Sequence, residues 1–208
     1  MKKFLVVDDH VVVRSGIKTL LSNIYKPCEI QEAVNGETAL QKIKTEEFDL
    51  IMMDIQMPDT DALKLMEHIH INYPSARVLM FSMSAENIYA VRFMKAGASG
   101  FVSKEASLDD ITRAITTIIG GKKYISDSLA EKLAGDSFAK RSANPFNDLS
   151  PREFEIVILL LEGKTVTDIS HTLNIQTSTV GTHKARLFEK LAVTNILELK
   201  ELATTYNL

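Results

Sequence analysis

The chain has 208 residues, 45% apolar and 25% charged, a balance that supports packed cores and excludes a disordered, collagen-like or low-complexity chain; at roughly 100–200 residues per domain, two small domains are expected. Twenty-four Lys and Arg against 27 Asp and Glu leave a formal net charge of −3, so affinity for nucleic acid cannot come from the overall field and must come from local residues. No run approaches the roughly 18–20 apolar residues of a membrane span, the opening is too short for a signal-peptide core, and a lone Cys28 excludes a disulfide framework or cysteine zinc site; a cytoplasmic protein without a membrane partner is expected.

From Lys3 to about Gly120, short apolar runs alternate with helical periodicity, the pattern of repeated βα units and a doubly wound parallel sheet. Five strands are expected at Phe4–Val7, about Glu29–Val34, Leu50–Met53, Val78–Phe81 and Gly100–Ser103, most of them apolar on both faces as helix-covered strands must be. Between them, Val13, Ile17, Leu20, Leu21 and Ile24 recur at three- and four-residue spacing, as do Leu108, Ile111, Ile115, Ile118 and Ile119. The pattern stops at Gly120-Gly121, placing a first domain at 1–121. Residues 122–147 read as a connector: a short helix is expected near 128–133, followed by Gly135, Ser137, Ser142, Asn144, Pro145 and Asn147.

A second domain is expected over 148–208. Ser150-Pro151-Arg152-Glu153 offers a capping Ser, a Pro at the first helical position and a Glu at the third, with Leu149 and Phe154 as a hydrophobic staple. The helix should run to Gly163, and three more should follow at about Val166–Leu173, Ser178–Leu191 and Ile196–Thr204, giving a small all-α four-helix unit.

In an open α/β sheet, chemistry sits at the carboxyl ends of the strands. There the first strand delivers Asp8-Asp9, the third Asp54, the fourth Ser82 and the fifth Lys104. Any one acid after a strand is most simply a turn former or helix cap; four strands delivering this set together point to a site. Two carboxylates about 4 Å apart at an effective dielectric near 20 repel by roughly 4 kcal/mol, a cost that a hard divalent cation relieves, and Mg²⁺ is the natural occupant. A metal-held carboxylate beside a Lys suits phosphoryl transfer, which needs positioning and charge neutralisation. Asp54, ending the central strand, is the best nucleophile, with Asp8 and Asp9 better placed to hold metal. His10 reads as a loop residue beside the site, and the eight methionines as core filler.

Through Leu5-Val6-Val7-Asp8-Asp9-His10, Met53-Asp54-Ile55-Gln56-Met57-Pro58 and Gly100-Phe101-Val102-Ser103-Lys104, residues 3–120 resemble a CheY-like response-regulator receiver domain. The resemblance implies that Asp54 accepts phosphate from a phosphohistidine on a sensor histidine kinase. It also implies that Asp9, Asp54 and the Gln56 carbonyl bind Mg²⁺, with Asp8 acting largely through water, and that Lys104 pairs with the phosphate. Ser82 and Phe101 match the family's switch pair, Ser82 swinging to the phosphate and Phe101 turning inward. Gln56 and Ser84 would set the phosphate lifetime. Ala62 stands where the family commonly has Gly, with little effect expected.

In the second domain, Asp168–Leu191 has the helix-turn-helix layout that can lay a helix in a DNA major groove. Asn174 can take a left-handed turn, and Val180, Leu187, Phe188 and Leu191 form an apolar stripe. The opposite face is expected to carry Thr179, Thr182, His183, Lys184, Arg186 and Lys190, suited to phosphate and base-edge contacts. Such a face on an isolated helix is most often merely solvated. Leu149-Ser150-Pro151-Arg152-Glu153, Gly163, Ile169 to Ile175, Thr179-Val180, Thr182-His183-Lys184 and Glu189-Lys190-Leu191 are similar to the LuxR-type DNA-binding domain. Together with the receiver, they resemble the NarL/FixJ class of response regulator. The resemblance makes the third helix the recognition helix and the fourth the dimer contact on DNA.

Three departures stand out. Gly181 replaces a common Lys, Val166-Thr167 a polar or basic pair, and Gln176 a usual capping Ser, whose role Thr177 could take. Leu149–Leu208 carries six Lys or Arg and seven Asp or Glu, a net of −1, so weak binding by one copy and a need for a homodimer are expected. The function expected is a transcription factor whose binding to double-stranded promoter DNA is controlled by Mg²⁺-dependent phosphorylation of Asp54, and not an enzyme. A metal-dependent phosphohydrolase would need a general acid two residues after its nucleophile, which Gln56 cannot supply. A receiver-controlled protein-binding module remains the alternative.

Overall fold

The computed structural model describes residues 1–83, 86–127, 130, 144–206 and 208, with the backbone alone at 86–88, 147 and 151. All but residue 130 of the helix expected at 128–133, most of the connector and Ser84 lie outside the described residues. The chain divides into two compact units, Met1–Gly135 and Asp136–Leu208.

In the first unit, five parallel strands, β1 (Lys2–Val7), β2 (Cys28–Ala33), β3 (Leu50–Met53), β4 (Val78–Ser82) and β5 (Gly100–Ser103), pair in the order β2-β1-β3-β4-β5. They alternate with α1 (Val11–Ile24), α2 (Gly36–Thr45), α3 (Ala62–Asn72), α4 (Glu86–Lys95) and α5 (Leu108–Ile119). The expected five-stranded doubly wound sheet is present, with strand bounds within two residues of those read from the sequence.

Side chains alternate between the sheet's faces, and each face has its own core. Leu5, Val7, Ile51, Met53, Met80 and Phe101 pack with Ala39, Ile43, Leu65, Met66, Ile69 and Phe93. On the other face, Phe4, Val6, Leu50, Met52, Leu79, Phe81 and Val102 pack with Ile17, Leu21, Ile111, Ala114, Ile115 and Ile118. Both methionines of β3 are 2% exposed or less, as core filler should be. Leu108, read as part of the α5 stripe, is instead 69% exposed, because it is the first helical residue and precedes the turn that meets the sheet.

The connector expected from residue 122 does not begin so early. Tyr124 is buried against the β5/α5 face, its N–H donates to Ser99 O at 2.9 Å, and it bridges to Gly100. The Gly120-Gly121 pair ends α5 but does not end the packing, since a single aromatic can extend a core without any periodic signal.

The second unit is helical: a short 3₁₀ turn (Pro145–Asp148), then α6 (Pro151–Leu161), α7 (Val166–Thr172), α8 (Thr177–Leu191) and α9 (Ile196–Thr205). Phe146, also placed in the connector by sequence, is 1% exposed and meets the Tyr206 ring edge-on at 6.3 Å. The Ser150/Glu153 capping box forms on α6 with Pro at its start. Gly163 ends it at φ +83, where the N–H groups of Gly163 and Lys164 reach Leu160 O and Leu159 O. Thr165 and Asp168 form a second capping box on α7. Asn174 takes the left-handed turn, φ 49, between α7 and α8, and Arg152 of α6 locks that turn by donating to Leu173 O at 2.7 Å. Gln176 is the N-cap of α8 without a side-chain capping bond, and Thr177 is already helical, so the capping role expected of Thr177 is not taken up.

Candidate functional site

The order β2-β1-β3-β4-β5 reverses direction between β1 and β3, and crevices open at the carboxyl ends of strands where order reverses. Register places the acids there. Val7 pairs with Met53, so the next residues, Asp8 and Asp54, lie side by side; the Asp54 N–H donates to Val7 O at 2.9 Å. Ser82 pairs with Ser103 at the ends of β4 and β5, and the Lys104 N–H donates to Ser82 O at 3.0 Å, bringing Lys104 in from the far side.

Asp8 and Asp54 are 1% and 3% exposed. Lys104 Nζ lies between them, donating to Asp8 Oδ2 at 2.6 Å and Asp54 Oδ2 at 2.8 Å. The other oxygens accept main-chain N–H groups: Asp8 Oδ1 from His10 at 2.8 Å, Asp54 Oδ1 from Ile55 at 2.7 Å. Burial alone would lower the Lys104 pKa, but hydrogen bonds and charge from Asp54 and Asp8 outweigh it and raise the ammonium above its ordinary 10.5. It is therefore a fixed cation at neutral pH.

Asp9 is held differently. Its Oδ1 is buried and accepts no hydrogen bond. His10 Nδ1 stands 2.8 Å from it and 3.2 Å from Asp8 Oδ1. Asp8, Asp9, His10 and Asp54 each offer a ligand atom, and these atoms all lie within 4.8 Å of one another. A pocket with three carboxylates, one fixed ammonium and a buried oxygen that accepts no hydrogen bond could hold a metal cation. His10, read as a bystander, touches both acids, although its ring is 65% exposed.

Ser82 and Phe101 are buried, 0% and 1% exposed. Phe101 lies inward, inside the core of the α2/α3/α4 face, the position that the resemblance implies for the phosphorylated state. Ala62 begins α3 and is buried without disturbing it.

In the second unit, α8 buries Val180, Leu187 and Leu191. Thr179, Thr182 and Arg186 are exposed on the opposite side, while His183 is half-buried. Lys184 departs from the single cationic face read from the sequence. At about 100° per residue, Lys184 stands about 160° round the helix from Arg186; it is half-buried with its ammonium 5.3 Å from the centre of the Phe188 ring. Lys190 donates to Glu153 Oε2 at 2.7 Å and to Asp148 O at 3.3 Å. It therefore balances a carboxylate whose side chain is 4% exposed. Nothing in the sequence of α8 shows this partner, which comes from α6. Burial would raise the Glu153 pKa, yet hydrogen bonds from Lys190 and Ser150 hold it below 4.5.

Arg14, which no motif in the sequence singles out, is buried beside the acidic pocket, Nη1 donating to Asp8 O at 2.8 Å. The available signal was an arginine at an inward position, three residues before Ile17 in the stripe of α1.

A doubly wound sheet with an acid-and-lysine crevice at its switch point, followed by a helix-turn-helix unit, defines a regulator that pairs a chemical sensor with a nucleic-acid reader. Residues 4–116 match the response regulator receiver domain, and residues 147–203 match the luxR family of bacterial regulatory proteins. The chain is 34% identical to the response regulator GacA of Pseudomonas aeruginosa over all of its own length and 98% of that protein. It is 32% identical to the response regulator UvrY of Escherichia coli K12, covering 96% of it. RcsB of Salmonella enterica serovar Typhimurium, in a structure bound to promoter rprA with the phosphomimetic BeF3⁻, shares the fold with a TM-score of 0.66 over 98% of both chains at 23% identity. The chain belongs to the NarL/FixJ-class response regulators and is a two-component transcription factor.

Proposed function

We propose that Asp54 is the phosphoacceptor and that its phosphorylation controls DNA binding by the second unit. The observation that carries this reading is the crevice itself: three carboxylates from two adjacent strands around one buried ammonium, with Asp54 central. A carboxylate oxygen of Asp54 attacks the phosphorus of a phosphohistidine on a sensor kinase; the P–N bond breaks, the imidazole leaves, and an acyl phosphate forms. Mg²⁺, held by Asp9, Asp54 and the Gln56 carbonyl with Asp8 behind, would neutralise charge on the transferring group. Lys104 supplies a second positive charge and can follow the new phosphate oxygens. Ser82 and Phe101 form the switch, with the inward ring leaving the Ser82 hydroxyl as the part that must reorient. Val11, Val12 and Met83, all more than half exposed on the loops and helix that follow β1 and β4, offer the kinase an apolar docking rim. A chain working between kinase and DNA belongs in the cytoplasm, and among the described residues no helix is long and apolar enough to cross a membrane.

The reader is α8, with Arg186, Thr179 and Thr182 outermost and Lys184 and His183 at the flanks. Supporting its use on DNA is the luxR-family match across this unit. With Leu149–Leu208 at a net charge of −1, two copies are needed, α9 providing the contact between them. The test is retention of fragmented genomic DNA by the purified chain, with and without Mg²⁺ and beryllofluoride. Enrichment of a few inverted-repeat sites only with both additions is the expected result. Equal enrichment without them removes phosphorylation as the gate, and no enrichment under any condition favours a protein-binding role for the second unit.

A further inference from the structure

Arg14 is 7% exposed, on the inward side of α1 with Ile17 and Leu21. A guanidinium is almost never buried unless its N–H groups are engaged. Here Nη1 donates to the main-chain oxygen of Asp8 and Nε to Glu32 Oε2 of β2, each at 2.8 Å. Glu32 is held in turn by Lys18 Nζ, 2.5 Å from Oε1, and hydrogen bonds from Lys18 and Arg14 keep its carboxyl below its ordinary value. A charged chain from α1 and β2 thus ends on one peptide group, the one joining Asp8 to Asp9.

That peptide matters because the carboxylates of the crevice are fixed by different means. Asp8 and Asp54 are each tied by Lys104 and by a main-chain N–H. Asp9 is tied by neither Lys104 nor a main-chain N–H: its Oδ1 accepts no hydrogen bond, and the His10 ring 2.8 Å away is itself 65% exposed, so the aim of this carboxylate depends on its backbone. Its backbone begins at the carbonyl that Arg14 grips, and the other side of Asp8 is pinned by its N–H to Ala33 O at 3.1 Å. We propose that Arg14, braced by Glu32, is a positioning residue for the divalent-cation site, aiming Asp9 through the Asp8–Asp9 peptide. The proposal rests on reading the crevice as a Mg²⁺-dependent phosphoacceptor site.

Charge and positioning predict opposite signs. Arg14 is a cation near the metal's seat, so on charge alone its removal tightens Mg²⁺ binding, whereas loss of aim weakens it. Outer-shell partners of metal ligands are worth about 10–100-fold in affinity. The experiment is calorimetric titration of Mg²⁺ into the full chain and its Arg14→Lys, Arg14→Gln and Glu32→Gln variants, with thermal unfolding of each. Arg14→Lys keeps the charge but cannot span both acceptors with a planar fork. Expected are a loss of about 10-fold or more in Mg²⁺ affinity for both Arg14 variants and a smaller loss for Glu32→Gln, together with a shifted Asp9 amide resonance in metal-free protein. Unchanged or tighter Mg²⁺ binding by folded Arg14 variants overturns the proposal. Should those variants not fold, unchanged affinity in Glu32→Gln, whose carboxylate is partly exposed, overturns it instead. Failure of the wild-type chain to bind Mg²⁺ overturns the phosphoacceptor reading as well, so the two failures are told apart by the wild-type titration.

Discussion

Lys104 shows how one side chain makes the acidic crevice possible. Its ammonium lies within 2.8 Å of two carboxylates that are almost fully buried. Replacing it by Met leaves those carboxylates facing each other without compensation, and breaking a buried pair in this way costs about 3–5 kcal/mol. A divalent cation can take over the lost charge, and binding to the native state alone stabilises it. Urea unfolding of Lys104→Met should therefore show a large loss without Mg²⁺ and a partial recovery at millimolar Mg²⁺; equal loss in both conditions would count against a metal in the crevice. The pH dependence has a definite sign. Because the folded pKa is raised above 10.5, the contribution of Lys104 is fully present below 10.5 and disappears only as pH climbs through the higher folded value. No part of it titrates near neutrality.

Within α8, local backbone chemistry and long-range partners separate cleanly. Ala192 ends the helix in the left-handed region, φ 52, with its N–H to Glu189 O and that of Val193 to Phe188 O. A Cβ there costs about 1–2 kcal/mol, so Ala192→Gly should stabilise the second unit by about 1 kcal/mol and raise its unfolding midpoint. Gly181 is the converse: a Cβ at this helical position meets nothing within 4 Å, so Gly181→Ala should add about 0.5–1 kcal/mol. Thermal unfolding of the two variants checks both, and a fall in either would mean that the helix is strained in a way its backbone does not show. Glu153 adds an acid-side dependence. Its folded pKa is lowered, so its stabilisation is present above about 4.5 and is lost as pH falls through the folded value; Glu153→Gln should unfold more easily at pH 7 and lose less on going to pH 4.

These elements also show what a linear reading can reach. The strands, the Asn174 turn and the Ser150/Glu153 box depend on spacing within a few residues, and all were readable. The convergence of Asp8, Asp9, Asp54 and Lys104 followed from a rule about strand ends. What escaped depended on partners far along the chain: Lys190 and Glu153 are 37 residues apart, Arg14 and Glu32 are 18 apart, and Tyr124 joins a core without periodicity. A cation on an amphipathic helix looks solvated until the carboxylate across from it is known.

The same pairing decides how the chain should meet DNA. Each Lys or Arg that neutralises a phosphate contributes about −0.9 to the slope of log K against log salt. On α8, Arg186 is exposed and Lys184 stands at the flank, but Lys190 is already balancing Glu153. Phosphate contacts by these two cations of α8 contribute a slope of about −2 per unit, and about twice that for a pair on adjacent half-sites. Arg186→Ala should then reduce the slope by about 1 per unit and weaken binding across all sequences. Lys190→Ala should leave the slope almost unchanged while destabilising the unit by about 1–3 kcal/mol, because a buried carboxylate loses its charged donor. Salt titrations of site-specific binding in the presence of beryllofluoride, set beside denaturation of the same variants, separate the two roles. A full unit of slope lost on Lys190→Ala, with stability intact, would return Lys190 to the DNA face and leave Glu153 to its capping bond with Ser150.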